Sequence, residues 1–382
     1  NGVASYSPRL PQATPGFRIP IARTRRSIRA DRPQDHARRA ESNSDQVTIA
    51  LGTLLTERMN VIQIVEPGRA EVAEWPVPEP QTGQALIKVF GVTTCPHWDM
   101  HIMAGEPMFP GGKLEYPYTP GQPGHEATGE VEAVGPETAG VQVGDSVSLW
   151  RDQGPKRPGF YAQYAIADAA NLIQVPEDLT EEATAPTELA MCVHVSIDQL
   201  LSISQVTGTR FGVGGLGPAG LIAIQMAKAY GASEVVAFDP VASRRELALS
   251  MGADRALEPT SDAFPDDRFS DGALDVAIDC TGLPVSIEFL MDRTRDSVAL
   301  FGVLREEVRF TMNHWRRALK LIGYDAHNRS AAERAVQLIR ADKLDLKPLT
   351  SARLPFSRYA EGVEMLKEKK AIKILYDPWM DG

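Results

Sequence analysis

A chain of 382 residues exceeds what one hydrophobic core usually holds, so two domains are expected. Hydrophobic content of 43% and charge of 24% describe an ordinary globular protein, and no run of about 18 apolar residues marks a membrane span. A formal charge of −10 argues against nucleic acid as the main partner, because phosphate binding needs a concentrated basic surface; three scattered cysteines, Cys95, Cys192 and Cys280, argue against a disulfide framework and fit a reducing compartment, the cytoplasm.

Residues 1–58 carry ten Arg and no Lys against five acidic residues, a net +5 that leaves −15 on the rest. No apolar period persists there, so the segment is expected to be disordered. It reads either as an organelle transit peptide or as a stretch upstream of an initiator at Met59.

From Met59 onward, Met59–Gly68, Ala70–Trp75 and Gln84–Thr93 alternate apolar and polar residues between Pro/Gly turns, the period of half-buried strands. The last of them delivers Thr93-Thr-Cys95-Pro-His97-Trp-Asp99-Met-His101, read as a loop, which puts one Cys, one Asp and two His within seven residues. A long Pro/Gly-rich stretch follows, of the kind that is usually functional. It leads into Gly124-His125-Glu126, with strands expected behind. A catalytic zinc takes three protein ligands and leaves a position open. Cys95 and His125 supply two in this reading, with a carboxylate as the third; a strand-end thiol and solvated loop histidines are the bland alternatives.

A buried helix is expected over 189–201. Beyond it, Gly215-Leu216-Gly217-Pro218-Ala219-Gly220 holds G-x-G-x-x-G between a strand and the helix 221–230, and strand 234–238 ends in Asp239, 19 residues after Gly220. The glycines permit the tight turn and let backbone approach a pyrophosphate at a helix N-terminus. Asp239 is placed to accept from the adenosine ribose hydroxyls, which favours NAD over NADP, and Arg244 reaches the ribose or phosphate unless it lies on a solvated helix face. Further βα units, at 274–282, 297–302 and 319–324, argue for a parallel doubly wound sheet. Thr281-Gly282 is expected to line its cofactor side. Helices over 331–341 and 359–367 and a final strand over 371–376 are assigned back to the first domain.

Taken together, G-H-E-x-x-G at 124–129, Gly135, Gly144-Asp145, Gly215 to Gly220, Asp99-x-His101, Asp279-Cys-Thr-Gly282 and the closing Ala371-Ile-Lys-Ile resemble the medium-chain dehydrogenase/reductase superfamily, in its zinc-dependent alcohol/polyol dehydrogenase group, over Met59 to Pro378. The resemblance implies an α/β chain in which a GroES-like, mostly antiparallel catalytic domain is split around a Rossmann domain. The expected boundaries are 59–188, 189–325 and a return segment at 326–382. It also implies that His125 is the zinc histidine, Glu126 its neighbouring carboxylate, Asp99 the acid orienting that histidine, and His101 a proton-relay position.

Two departures stand out. The family's Cys-x-x-Asp is lengthened here by one residue; aligned on Asp99 the ligand position falls on Pro96, and aligned on Cys95 the relay position becomes His97, which a one-residue bulge would reconcile. The third ligand position falls on Thr187, with Glu188 one residue late and taken as the ligand. The metal set is therefore Cys95, His125, Glu126 and Glu188. No cysteines lie between Asp145 and Gly159, so the four-cysteine structural lobe is not expected, and one catalytic zinc per chain is. The expected activity is NAD-linked oxidation of a secondary alcohol or polyol-like substrate to a ketone, in a homodimer or homotetramer. A zinc-free NAD(P)H quinone/enone reductase is the rival, and a non-catalytic nucleotide-binding protein the remoter one.

Overall fold

The computed structural model describes residues 57–381 apart from 110, 261 and 263. The leader expected at 1–58 lies outside the described residues except for Glu57 and Arg58. Arg58 already opens a strand.

In chain order the elements are β1 (Arg58–Glu66), β2 (Arg69–Pro76), β3 (Gln84–Thr93), α1 (Pro96–Ala104), β4 (Glu126–Val134), β5 (Ser146–Leu149), β6 (Tyr164–Asp168), β7 (Leu172–Gln174), α2 (Glu181–Thr184) and α3 (Thr187–Ile203). There follow β8 (Arg210–Gly214), α4 (Pro218–Ala229), β9 (Glu234–Phe238), α5 (Ala242–Ser250), β10 (Arg255–Leu257), β11 (Leu274–Asp279), α6 (Pro284–Arg293), β12 (Thr294–Leu300), α7 (Met312–Trp315) and β13 (Lys320–Gly323). The chain closes with α8 (Arg329–Arg340), β14 (Thr350–Pro355), α9 (Tyr359–Lys367) and β15 (Lys373–Asp377).

The first sheet runs β14-β15-β3-β4-β5-β7, with β6 on β3, and is antiparallel apart from the β14–β15 pair. Its core gathers Ile62, Ile87, Val89, Val131 and Tyr161 with Tyr359 and Tyr376 from the end of the chain. The second sheet is wholly parallel, in the order β10-β9-β8-β11-β12-β13. That is two βαβαβ halves diverging from β8, the Rossmann arrangement, and its crevice lies at the β8/β11 switch point. Near-continuous apolar strands such as Val235–Phe238 fit a sheet covered on both faces.

Two expectations change. The stretch after Thr93 is not a loop: Cys95 is the N-cap of α1, with Pro96 in its first turn, a position where the missing N–H is no loss. The return to the first domain comes later than residue 326. On α8, Ala335 and Ile339 join the core around α3 and α4, and Ala331, Ala332 and Val336 pack on Met191, Cys192 and Val195 of α3, so the chain re-enters the first sheet only at β14.

Candidate active site

The β3–β4 register builds the centre of the site. Thr93 pairs with Glu126, so the residues just beyond, Cys95 at the start of α1 and His125 before β4, are brought side by side. Cys95 Sγ, a His125 ring nitrogen and a Glu126 carboxylate oxygen all lie within 4.8 Å of one another. The extra residue between Cys95 and Asp99 makes no bulge. It is taken up by the first turn of α1, where the Asp99 N–H donates to the Cys95 carbonyl at 3.0 Å.

His125 is buried, and its Nδ1–H donates to the Pro123 carbonyl at 2.8 Å, which leaves Nε2 as the free ligand atom. Burial by itself would push this imidazole's pKa down. The Cys95 sulfur, Glu188 and Asp152 outweigh that and hold it well above the ordinary value. The pocket is thus biased towards positive charge at His125. Sulfur, imidazole nitrogen and carboxylate oxygen are zinc donors, and a zinc ion fits both the donor set and that bias.

Glu126 is less free than the resemblance implies. Lys373 Nζ donates to both its oxygens, at 2.6 and 2.7 Å, and Thr93 Oγ1 adds a longer bond at 3.3 Å. Burial pushes the Glu126 carboxyl upward, with Lys373 opposing.

Asp99 does not hold the ring of His125, as the resemblance implied; that ring N–H belongs to Pro123. One Asp99 oxygen instead accepts from Tyr161 at 2.8 Å and Tyr359 at 2.7 Å, while burial raises its carboxyl pKa. Its influence on His125 is therefore through charge. His97 and His101 stand one turn apart on α1. His101 Nε2 accepts from Arg305 Nη1 at 3.0 Å, and the Glu106 carboxylate lies 3.7 Å from Nδ1. His97 is exposed, and local desolvation, then Arg305 and His101, hold its imidazole below the ordinary value.

Glu188 is placed differently from the expected third ligand of the Cys95–His125 pair. The helical spacing of α3 puts it one turn from Cys192, whose Sγ–H donates to Oε1 at 3.3 Å, and His327 Nε2–H donates to the same oxygen at 3.0 Å. Glu188, Cys192 and His327 are a second cluster with donor atoms within 4.8 Å of one another. Burial opposes its ionisation, but His327 and His125 draw the Glu188 carboxyl below its ordinary value.

At the nucleotide end, Gly215 adopts φ +84°, and a Cβ on Gly220 would meet the Gly215 carbonyl oxygen at 1.9 Å, so neither position admits a side chain. A Cβ on Gly217 would meet nothing within 4 Å. This open backbone at the N-cap of α4, ahead of Pro218 and Ala219, is a cradle that fits a pyrophosphate. Asp239 is buried at the end of β9. Its Oδ2 accepts from Leu216 N and its Oδ1 from Val241 N, both at 2.8 Å, with Arg244 Nη1 at 3.8 Å. The Thr281 hydroxyl is spent within its own turn, donating to Asp279 at 2.8 Å, while its methyl lies beneath Gly215.

Sequence reasoning missed Lys373, Arg305, His327, Tyr161 and Tyr359 as members of the site. For Lys373 a signal existed, a cation between Ile372 and Ile374 at the start of the strand Lys373–Asp377; His327 carried none.

Residues 218–341 match the zinc-binding dehydrogenase family and residues 81–177 the alcohol dehydrogenase GroES-like domain. The chain is 29% identical over 355 residues to the L-threonine 3-dehydrogenase of Pyrococcus horikoshii, covering 84% of this chain and 99% of that one. To the enzyme of the same name from Yersinia pestis it is 25% identical over 341 residues, covering 80% and 97%. Two solved structures have the same fold: 2R,3R-butanediol dehydrogenase from Bacillus subtilis (TM-score 0.72, 23% identity, 84% and 99% covered) and galactitol-1-phosphate dehydrogenase from Escherichia coli (0.72, 23%, 84% and 100%).

Proposed function

We propose that this chain, which belongs to the medium-chain dehydrogenase/reductase superfamily alongside zinc-dependent alcohol and polyol dehydrogenases, oxidises a secondary alcohol or polyol-like substrate to a ketone with NAD, reversibly, using one catalytic zinc. The observation that carries the reading is the convergence of Cys95 Sγ, His125 and Glu126 at the end of the β3–β4 ladder, in a chain that also presents the open Gly217 backbone.

Cys95 and His125, with Glu126 nearby, would hold a zinc ion, which would supply the Lewis acidity that lowers an alcohol's pKa from roughly 16 towards neutrality, and NAD would supply the hydride acceptor. The protein's own residues do the rest. The Pro123 carbonyl fixes the His125 tautomer, which leaves Nε2 as the nitrogen that would hold the ion. Lys373 neutralises Glu126 and keeps the ligand field from becoming over-negative. His97, whose imidazole desolvation and then Arg305 hold below its ordinary value, takes the alcohol proton and exchanges it with solvent. Asp239 accepts from the ribose hydroxyls and opposes a 2′-phosphate.

The substrate is a small molecule, and a homodimer or homotetramer is part of the proposal, checked by light scattering. No helix among the described residues is long and apolar enough to cross a membrane, and a cytoplasmic site of action is proposed.

The test pairs wild type with His125→Gln on a panel of secondary alcohols and polyols with NAD, alongside metal analysis and NAD titration. Expected is loss of one ion per chain and of turnover, with NAD affinity held within about twofold. Turnover of quinones or enones with NADPH in metal-free protein, unaffected by His125→Gln, would overturn the reading in favour of the reductase.

A further inference from the structure

Glu188 and Cys192 stand one turn apart on α3, and the segment after β13 lays His327 against them. Cys192 Sγ and His327 Nε2 converge on one carboxylate oxygen, at 3.3 and 3.0 Å. Ligand atoms about 2.0–2.3 Å from a tetrahedral zinc stand about 3.3–3.8 Å from one another. Two of the trio's three separations are already near that spacing, and the third is within 4.8 Å.

Charge points the same way. Glu126 is neutralised by Lys373, whereas the ion-pair partner of Glu188 among the described residues is His327, with no Lys or Arg within 4.0 Å. Buried charges are paired or coordinate metals.

We propose that Glu188, Cys192 and His327 form a second metal site that takes a divalent ion of borderline softness, Zn2+ above all, distinct from the Cys95–His125 site and beyond the single ion expected from the family. Thiolate, imidazole and carboxylate are the donors such an ion prefers. On binding, bonds form through Cys192 Sγ, His327 Nε2 and a Glu188 oxygen; the thiol proton leaves to solvent, and the hydrogen that Nε2 donates to Glu188 is exchanged through solvent to Nδ1, so the neutral ring offers the Nε2 lone pair. Dication, thiolate and carboxylate sum to zero, so the bound cluster carries no net charge into the interior. The His327 side chain, 35% exposed, is the point of entry. A water completes the fourth position. The ion clamps α3 to the segment following β13.

The full-length protein, loaded with Zn2+ or Co2+ and desalted, tests this by elemental analysis and by the cobalt–thiolate charge-transfer band. Expected are two ions per chain in wild type, one in Cys192→Ser and in His327→Gln, one in His125→Gln, and none when His125→Gln and Cys192→Ser are combined. The partly exposed position of His327 keeps its variant folded, which thermal melting checks. One ion in wild type, lost in His125→Gln and untouched in Cys192→Ser and His327→Gln, overturns the proposal and leaves the trio a hydrogen-bond network. An ion that survives His125→Gln but is lost in Cys192→Ser upholds this site and sinks the catalytic assignment instead.

Discussion

Lys373 and Glu126, 247 residues apart in the chain, form an ion pair with side chains 0% and 1% exposed and with both carboxylate oxygens engaged. The pair ties the last strand of the chain to the first residue of β4, next to His125. Removing one partner leaves a buried charge alone, at a cost of about 3–5 kcal/mol. Lys373→Met is therefore expected to lower the stability by that amount in denaturant melts, and Lys373→Met with Glu126→Gln to recover most of it. A single variant with unchanged stability would show that the pair is not desolvated.

Gly217 and Gly220 belong to one motif but answer to different constraints. Gly220→Ala drives a methyl into the Gly215 carbonyl and is expected to destabilise the fold, with a fall of several degrees in Tm. Gly217→Ala, at φ −75° with open space before it, is expected to leave Tm unchanged and to weaken NAD by at least about tenfold, about 1.4 kcal/mol. Isothermal titration on both variants checks it; intact NAD affinity in Gly217→Ala would place the pyrophosphate elsewhere.

Asp239 anchors backbone on either side of it and is also assigned the ribose. Asp239→Ala is expected to raise the Kd for NAD by about 10–100-fold and to relax the preference over NADP, with a modest loss of Tm from the two freed N–H groups. The ratio of the NAD and NADP affinities separates the roles. If that ratio does not move, the carboxylate only anchors the turn.

Asp168 gives a pH dependence with a defined sign. Its carboxylate takes two bonds from Arg157, at 2.6 and 3.0 Å, which depresses its folded pKa below the unfolded value of about 3.9. A depressed carboxyl contributes stability above the unfolded pKa and loses it as pH falls through the folded one. The stability gap between wild type and Asp168→Asn is expected to be constant from neutral pH down to about 4 and to close below that. The pair is partly exposed, so the gap is small and shrinks with salt. A gap that widens on acidification would refute the assignment.

Much of this protein is legible in its residues one after another. The alternation in 59–93, the G-x-G-x-x-G turn with its acid 19 residues on, and the later βα units correspond to β1–β3, β8–α4–β9 and β11–β13, because period and turn chemistry are local properties. Cys95 and His125 as neighbours were legible too, since both flank strands of one hairpin-like pair. What tertiary structure alone decided is which groups face which. Lys373 reaches Glu126 because β15 inserts beside β3. Asp99 turns to Tyr161 and Tyr359 because both rings pack into the same core, and Glu188 meets His327 because the chain leaving β13, whose Gly323 carbonyl accepts from Gln199, reaches the first turn of α3. Those partners are 62 to 260 residues apart, and no local spacing encodes contacts between segments so distant in the chain.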